Sequence, residues 1–152
     1  MITLRPATAA DQKQIVALIR AAQINPLGLK WPNFVLAVEA ETGAIVGTGQ
    51  IKTHADGSRE LASIAVIPAY QRRGIAHQII EHLITEYRRI CHADPLYLTC
   101  MSTLGPFYEP FGFRSLELDE MTPHFRRAQR FVSLLQAVAR QEVTLLVMKL
   151  DR

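Results

Sequence analysis

The chain has little of what marks the specialised protein classes. Only two of its 152 residues are cysteine, Cys91 and Cys100. Two thiols exclude a disulfide-stapled fold, and neither they nor the five histidines stand at metal-ligand spacing, so no metal is expected. No apolar run approaches the roughly 20 residues that cross a bilayer, so no membrane partner is expected. Met1, Ile2, Thr3, Leu4, Arg5 and Pro6 lack a basic segment followed by an apolar core. There is thus no sign of a secretory leader, and the expectation is a cytoplasmic protein with reduced thiols. Neither sign of charge dominates: 17 Lys and Arg face 14 Asp and Glu, a net +3. The basic residues are dispersed, which argues against a nucleic-acid partner. Low-complexity tracts and internal repeats are absent. So are the Gly-x-x-x-x-Gly-Lys-Ser/Thr and Gly-x-Gly-x-x-Gly nucleotide loops.

What is present is an ordinary globular composition, 49% apolar and 20% charged, long enough for one domain over residues 1–152 with a substantial core. Strands are expected at residues 2–5, 34–38, 44–52, 61–67, 96–100, 113–118 and 143–150. Thr8 and Asp11 resemble a capping box ahead of a helix to about Ala22. The turns Thr42-Gly43 and Asp56-Gly57 make the second to fourth strands an antiparallel meander. Residues 75–90 repeat apolar side chains at helical spacing, and a crossover helix there makes the strands on either side of it parallel. Thr122-Pro123 opens a further helix to about Arg140, carrying Phe125, Phe131, Leu134, Leu135 and Val138. The fold class expected is α+β, a mixed and mostly antiparallel sheet flanked by helices.

The most informative stretch is Gln71, Arg72, Arg73, Gly74, Ile75 and Ala76, between a buried strand and a long helix. The first turn of a helix has N–H groups without intrahelical partners, and its dipole places partial positive charge there. A glycine-bearing turn at such a junction binds phosphate. The other reading is a solvated loop. With Ile64, Ala65 and Val66 ahead of it, the stretch resembles the pyrophosphate-binding signature of the GNAT superfamily of acyl-CoA-dependent N-acetyltransferases. Phe107, Tyr108, Glu109, Pro110, Phe111, Gly112 and Phe113 resemble that family's Tyr-x-x-x-Gly-Phe segment. Together the two motifs imply the GNAT fold, with the helix at about 123–140 as a departure from many members.

The resemblance implies acetyl-CoA as cosubstrate and an N-acetyltransferase that acts on a primary amine by direct attack in a ternary complex. The alternative is a non-catalytic acyl-CoA-binding or sensor module. It assigns the backbone of Ile64, Ala65 and Val66 to the pantetheine arm, and Gln71, Arg72, Arg73, Gly74, Ile75, Ala76 and the amide of His77 to the pyrophosphate. Met101 occupies the place where some members have a cofactor-contacting asparagine, so that contact is lost or taken over by the neighbouring Ser102. Tyr108 is the expected general acid and a cofactor contact, or else a packed aromatic. Glu60 is the expected base, or else an exposed charge at a strand start; among the histidines, His54 and His124 are the others to test. Cys100 reads as a buried thiol rather than a nucleophile. The acceptor is a small-molecule or peptide amine, bound by the connection at 25–31 and the 123–140 helix. There Arg126, Arg127 and Arg130 would attract a carboxylate or simply face solvent. An exposed apolar face on the same helix would make a homodimer.

Overall fold

The computed structural model describes residues 1–91, 93–140 and 144–151; His92 and the expected start of the last strand at Val143 lie outside them. The residues fall into two compact units, Met1–Lys52 with Leu61–His92, and Thr53–Glu60 with Ala93–Arg152.

The first unit opens on β1 (Ile2–Pro6). The expected box forms: the Thr8 N–H donates to Asp11 Oδ2 at 2.7 Å, and Arg5 adds a two-pronged contact to the same carboxylate at 2.8 and 3.0 Å. α1 (Gln12–Ala21) then buries Ile15 and Ile19. β2 (Phe34–Glu39) and β3 (Ile45–Thr53) pair as an antiparallel hairpin about Gly43, whose φ of +73° suits the turn. β4 (Arg59–Val66) leads through a short helical turn to α2 (Ile75–Cys91). Ile75, Ile79, Ile80, Leu83, Ile84 and Tyr87 form the buried face of α2. Burying each such aliphatic chain contributes about 1.5–3 kcal/mol. Two glycines of β3 allow the close fit. A Cβ at Gly49 would stand 2.5 Å from Ile79 Cγ2 and 2.9 Å from Leu83 Cδ1, and one at Gly47 would stand 3.1 Å from Ile79 Cδ1.

In the second unit the Asp56-Gly57 turn closes with His54 N–H donating to the Ser58 carbonyl at 2.9 Å. Arg59 and Glu60, the first residues of β4, pair in parallel with Leu96 and Tyr97 of β5 (Leu96–Met101). α3 (Gly105–Tyr108) is a single turn between two 3-10 segments, with Pro106 in its first turn and Pro110 just past its end. β6 (Phe113–Ser115) is shorter than expected. The Glu117 N–H donates to Glu120 Oε2 at 2.8 Å and diverts the chain into a helical turn. α4 (Pro123–Ala139) begins at the expected Thr122-Pro123 step, and β7 (Leu145–Leu150) pairs antiparallel with both β5 and β6. Tyr97, Leu116, Met121, Phe125 and Val147 make this unit's core. α4 buries Phe125 alone, while Phe131, Leu134, Leu135 and Val138 are exposed.

The strand order is β1-β2-β3-β4-β5-β7-β6, antiparallel at β1-β2, β2-β3, β5-β7 and β7-β6 and parallel at β4-β5. No helix among the described residues is long and apolar enough to cross a membrane.

Replacing Gly49 by alanine should destabilise the protein by about 1–3 kcal/mol, because the new methyl meets branched side chains locked in a packed core. Urea unfolding of the two proteins measures the difference; equal midpoints would contradict the close packing of α2 on β3.

Candidate active site

β4 carries an unusual backbone. Ser63 sits at φ +58°, in the left-handed region that non-glycine residues avoid. Two fully buried side chains of β3 hold it there. Thr48 Oγ1 donates to the Ser63 carbonyl at 2.9 Å, and Gln50 Nε2 donates to Ser63 Oγ at 2.8 Å. Gln50 Nε2 also lies 3.3 Å from the Gly28 carbonyl in the connection after α1. That connection is fixed further by Gln12, whose amide meets the Leu29 carbonyl at 2.6 Å and accepts from the Trp31 N–H at 2.9 Å. The strand is therefore more than an apolar run. Thr48 and Gln50, two positions apart and on the same face of β3, are the residues sequence reasoning passed over; their polarity in an otherwise apolar stretch was the available signal.

After β4 the chain turns through Pro68–Tyr70 and enters α2. Arg72 at φ +62° and Gly74 at φ +76° are both left-handed. Such alternation turns successive N–H groups toward one side and forms an anion-binding nest. The helical ladder starts with Gln78 N–H donating to the Gly74 carbonyl at 3.0 Å, so the Ile75 and Ala76 amides lie in the first turn, where N–H groups lack intrahelical partners. A Cβ on Gly74 would meet nothing within 4 Å. Its glycine therefore serves the backbone angle, and the space in front stays open. Gln71 uses its side chain internally, with Nε2 donating to the Val66 carbonyl at 3.0 Å. The Arg73 guanidinium lies 4.8 Å over the Tyr70 ring, and the Tyr70 hydroxyl donates to Glu39. A cavity of about 670 Å³ runs along Ile64, Ala65, Val66, Ile67, Pro68 and Gln71, with Ala17, Leu18 and Ala21 of α1 opposite.

The second unit gathers ionisable groups. Glu60 is buried, with Oε1 2.8 Å from His54 Nε2, and Oε2 accepting from Thr99 Oγ1 at 3.3 Å. The His54 ring stacks on His124 with centroids 3.5 Å apart, and Phe125 turns its edge to both. His124 is anchored by its backbone N–H, which donates to Asp56 Oδ2 at 2.9 Å. Burial would raise the Asp56 carboxyl, but donors from Ser58 and His124 outweigh it and hold the group well below the usual carboxylate range. Burial, then the neighbouring His54, pushes the His124 imidazole below its ordinary value. So Glu60 is not an exposed strand-start charge, and the two histidines singled out from the sequence meet at it.

Tyr108, half-buried between Phe107 and Phe113, has its phenol pushed up to about 12, by burial first and by Cys100 second. Cys100 is itself raised to about 11 by burial and lies 3.9 Å from Met148 Sδ, which leaves a neutral, unreactive thiol. Ser102 is tied to the strand end: its N–H donates to the Thr144 carbonyl at 2.7 Å, and its Oγ accepts from the Thr144 N–H at 3.3 Å. Arg126 donates to the Leu118 and Met121 carbonyls at 3.3 and 3.1 Å, so it braces the start of α4. His77 forms an exposed pair with Glu81 at 3.1 Å.

The profile of the acetyltransferase (GNAT) domain matches residues 31–115. No match is found among curated proteins. Among solved structures, N-acetylglutamate synthase of Neisseria gonorrhoeae with coenzyme A and N-acetyl-glutamate is similar at 24% identity and a TM-score of 0.73. The similarity covers 100% of this chain, which spans only 36% of that one. A Mycobacterium tuberculosis protein solved with CoA is 20% identical at a TM-score of 0.72, over 99% of both chains. The ribosomal-protein-S18-alanine N-acetyltransferase of Escherichia coli is 19% identical at 0.70, over 99% of this chain and 94% of its own. These likenesses establish the fold.

The depressed His124 gives a pH signature. An unfolded histidine titrates near about 6.5, so with the folded value lower, the unfolded state takes the proton more readily. The stability held above about pH 6.5 is therefore lost as pH falls below it. The melting temperature should drop on acidification through that window, and His124→Asn should flatten the slope. Parallel slopes in calorimetry would contradict the assignment.

Proposed function

Because the chain belongs to the GNAT family of acetyltransferases, we propose that it moves an acetyl group from acetyl-CoA to a primary amine by direct attack. The observation that carries this reading is the pair of left-handed residues, Arg72 and Gly74, at the mouth of α2. The donor set suits a diphosphate. Main-chain amides of residues 72–76 supply directed N–H groups, the Arg72 guanidinium adds charge, and open space faces Gly74. The kinked β4 offers the backbone of Ile64, Ala65 and Val66 to the extended pantetheine arm, much as a strand edge takes a peptide.

Glu60 is the proton acceptor in this reading. A free amine of pKa about 10.4 is mostly charged at neutral pH, so the nucleophile enters as its minor neutral form. As nitrogen attacks the thioester carbonyl, its remaining N–H becomes strongly acidic, and the Glu60 carboxylate accepts that proton directly or through water. His54 and Thr99 fix the carboxylate for the task. The C–N bond forms, the C–S bond breaks, and Tyr108 gives its phenolic proton to the departing sulfur. A phenol near 12 is fully protonated and ready to donate at neutral pH. It is also a weak acid against a thiol of about 8.5, so donation runs together with C–S cleavage rather than before it. Cys100 takes no part, and positioning of the two substrates supplies much of the rate.

The acceptor is a small-molecule or peptide amine. The N-acetylglutamate synthase and the S18-alanine N-acetyltransferase stand, by name, for an amino-acid and a protein acceptor respectively. In this chain the acceptor would meet the connection at 25–31, which Gln12 and Gln50 hold in place.

An acetyl-CoA consumption screen over an amine panel tests the reading directly. On the best amine, Glu60→Gln should lower kcat about 100-fold, and Tyr108→Phe about 10–100-fold, with coenzyme A affinity within about threefold of the parent. Unchanged turnover in either variant removes that residue from the mechanism. Gly74→Val, which cannot hold φ +76° without strain, should weaken coenzyme A binding at least about tenfold by calorimetry. Equal affinity would remove the nest from the reading.

A further inference from the structure

We propose that His54, Glu60 and His124 form a site for a borderline-soft divalent transition metal, zinc above all, and that filling it blocks acetyl transfer. One ligand atom from each residue lies within 4.8 Å of the other two. His54 Nε2 and Glu60 Oε1 are already 2.8 Å apart, and the His124 ring is stacked 3.5 Å from that of His54. Zinc bound tetrahedrally at about 2.0–2.1 Å sets its nitrogen and oxygen ligands roughly 3.4 Å apart. The close pair must open slightly, and the half-buried His124 must turn out of the stack toward it.

Two imidazoles and one carboxylate are a donor set for zinc rather than for magnesium or calcium, which take oxygen. Three protein ligands leave a fourth position for water. The supporting shell is present. Thr99 Oγ1 holds the second oxygen of Glu60, the Asp56 carboxylate holds the His124 backbone, and the Asp56-Gly57 turn holds His54. Phe125 flanks both rings and limits their travel. Residues 54, 60 and 124 follow no metal-binding spacing in the chain; the turn and the first residues of α4 bring them together.

The blocking effect rests on Glu60 as the proton acceptor, since a carboxylate bound to zinc is no longer a base. Binding itself does not. Calorimetric titration of chelator-treated protein with zinc chloride should give one site per chain. His54→Asn and His124→Asn, each checked for folding by circular dichroism, should weaken it at least tenfold, whereas His77→Asn should not. Cobalt in place of zinc should give the visible absorption of a low-coordinate ion, lost in His124→Asn. Turnover should fall with zinc, return with chelator, and need at least tenfold more zinc in His124→Asn. Absence of zinc binding, equal binding in both histidine variants, or loss of binding in His77→Asn overturns the site. Zinc bound at one per chain with turnover intact overturns the block. A chelator-treated protein that transfers no acetyl group to any amine counts against the proposed reaction, and leaves the binding result standing.

Discussion

The hydrogen bonds from Thr48 and Gln50 to Ser63 are the constraint on which the shape of β4 depends. A left-handed serine in a strand is strained by the order of 1–3 kcal/mol, and it persists only where its surroundings over-determine it. Here two buried side chains do so, one through the serine carbonyl and one through its hydroxyl. Each also satisfies a polar group that would otherwise be costly to bury. The kink falls three residues after Glu60, the last residue of β4 with a parallel partner on β5. It thus falls between the part of β4 paired in parallel with β5 and the residues Ile64 to Val66 that line the cavity beside α1.

A second constraint places the nest. The amides at the start of α2 are useful only if the helix meets the sheet at a fixed height, and Gly47 and Gly49 set that height. Ile79 and Leu83 settle where side chains on β3 would stand. The same residues that make the core dense therefore aim the helix, and the helix aims its dipole. The packing of the core and the placing of the α2 amides are here one arrangement seen from two ends.

How much of this was legible in the chain follows from the range of the interactions. The Arg72-Arg73-Gly74 turn, the helix after it and the strand before it are local, and periodicity with one glycine reveals them. The Thr122-Pro123 helix start is local too. Ser63 is not: its conformation is imposed by side chains 13 and 15 residues away, and nothing in Leu61, Ala62 or Ile64 signals it. The cluster at Glu60 is longer-range still, with His124 held to Asp56 across 68 positions. Glu60 and the two histidines were visible as chemistry, while their meeting was not. β6 ended early for a local reason that periodicity overlooks, a side-chain carboxylate capping the next turn.

The turn between β3 and β4 does three jobs within five residues. Asp56 reaches the start of α4, His54 reaches Glu60, and Gly57 closes the chain on itself at φ +85°. Most surface turns tolerate insertions and deletions because nothing distant reads their length. This one is read at both ends. Adding a residue would move the carboxylate away from α4 and the imidazole away from its partner in a single step. α4 is thereby tied to the length of a hairpin, and neither can drift without the other.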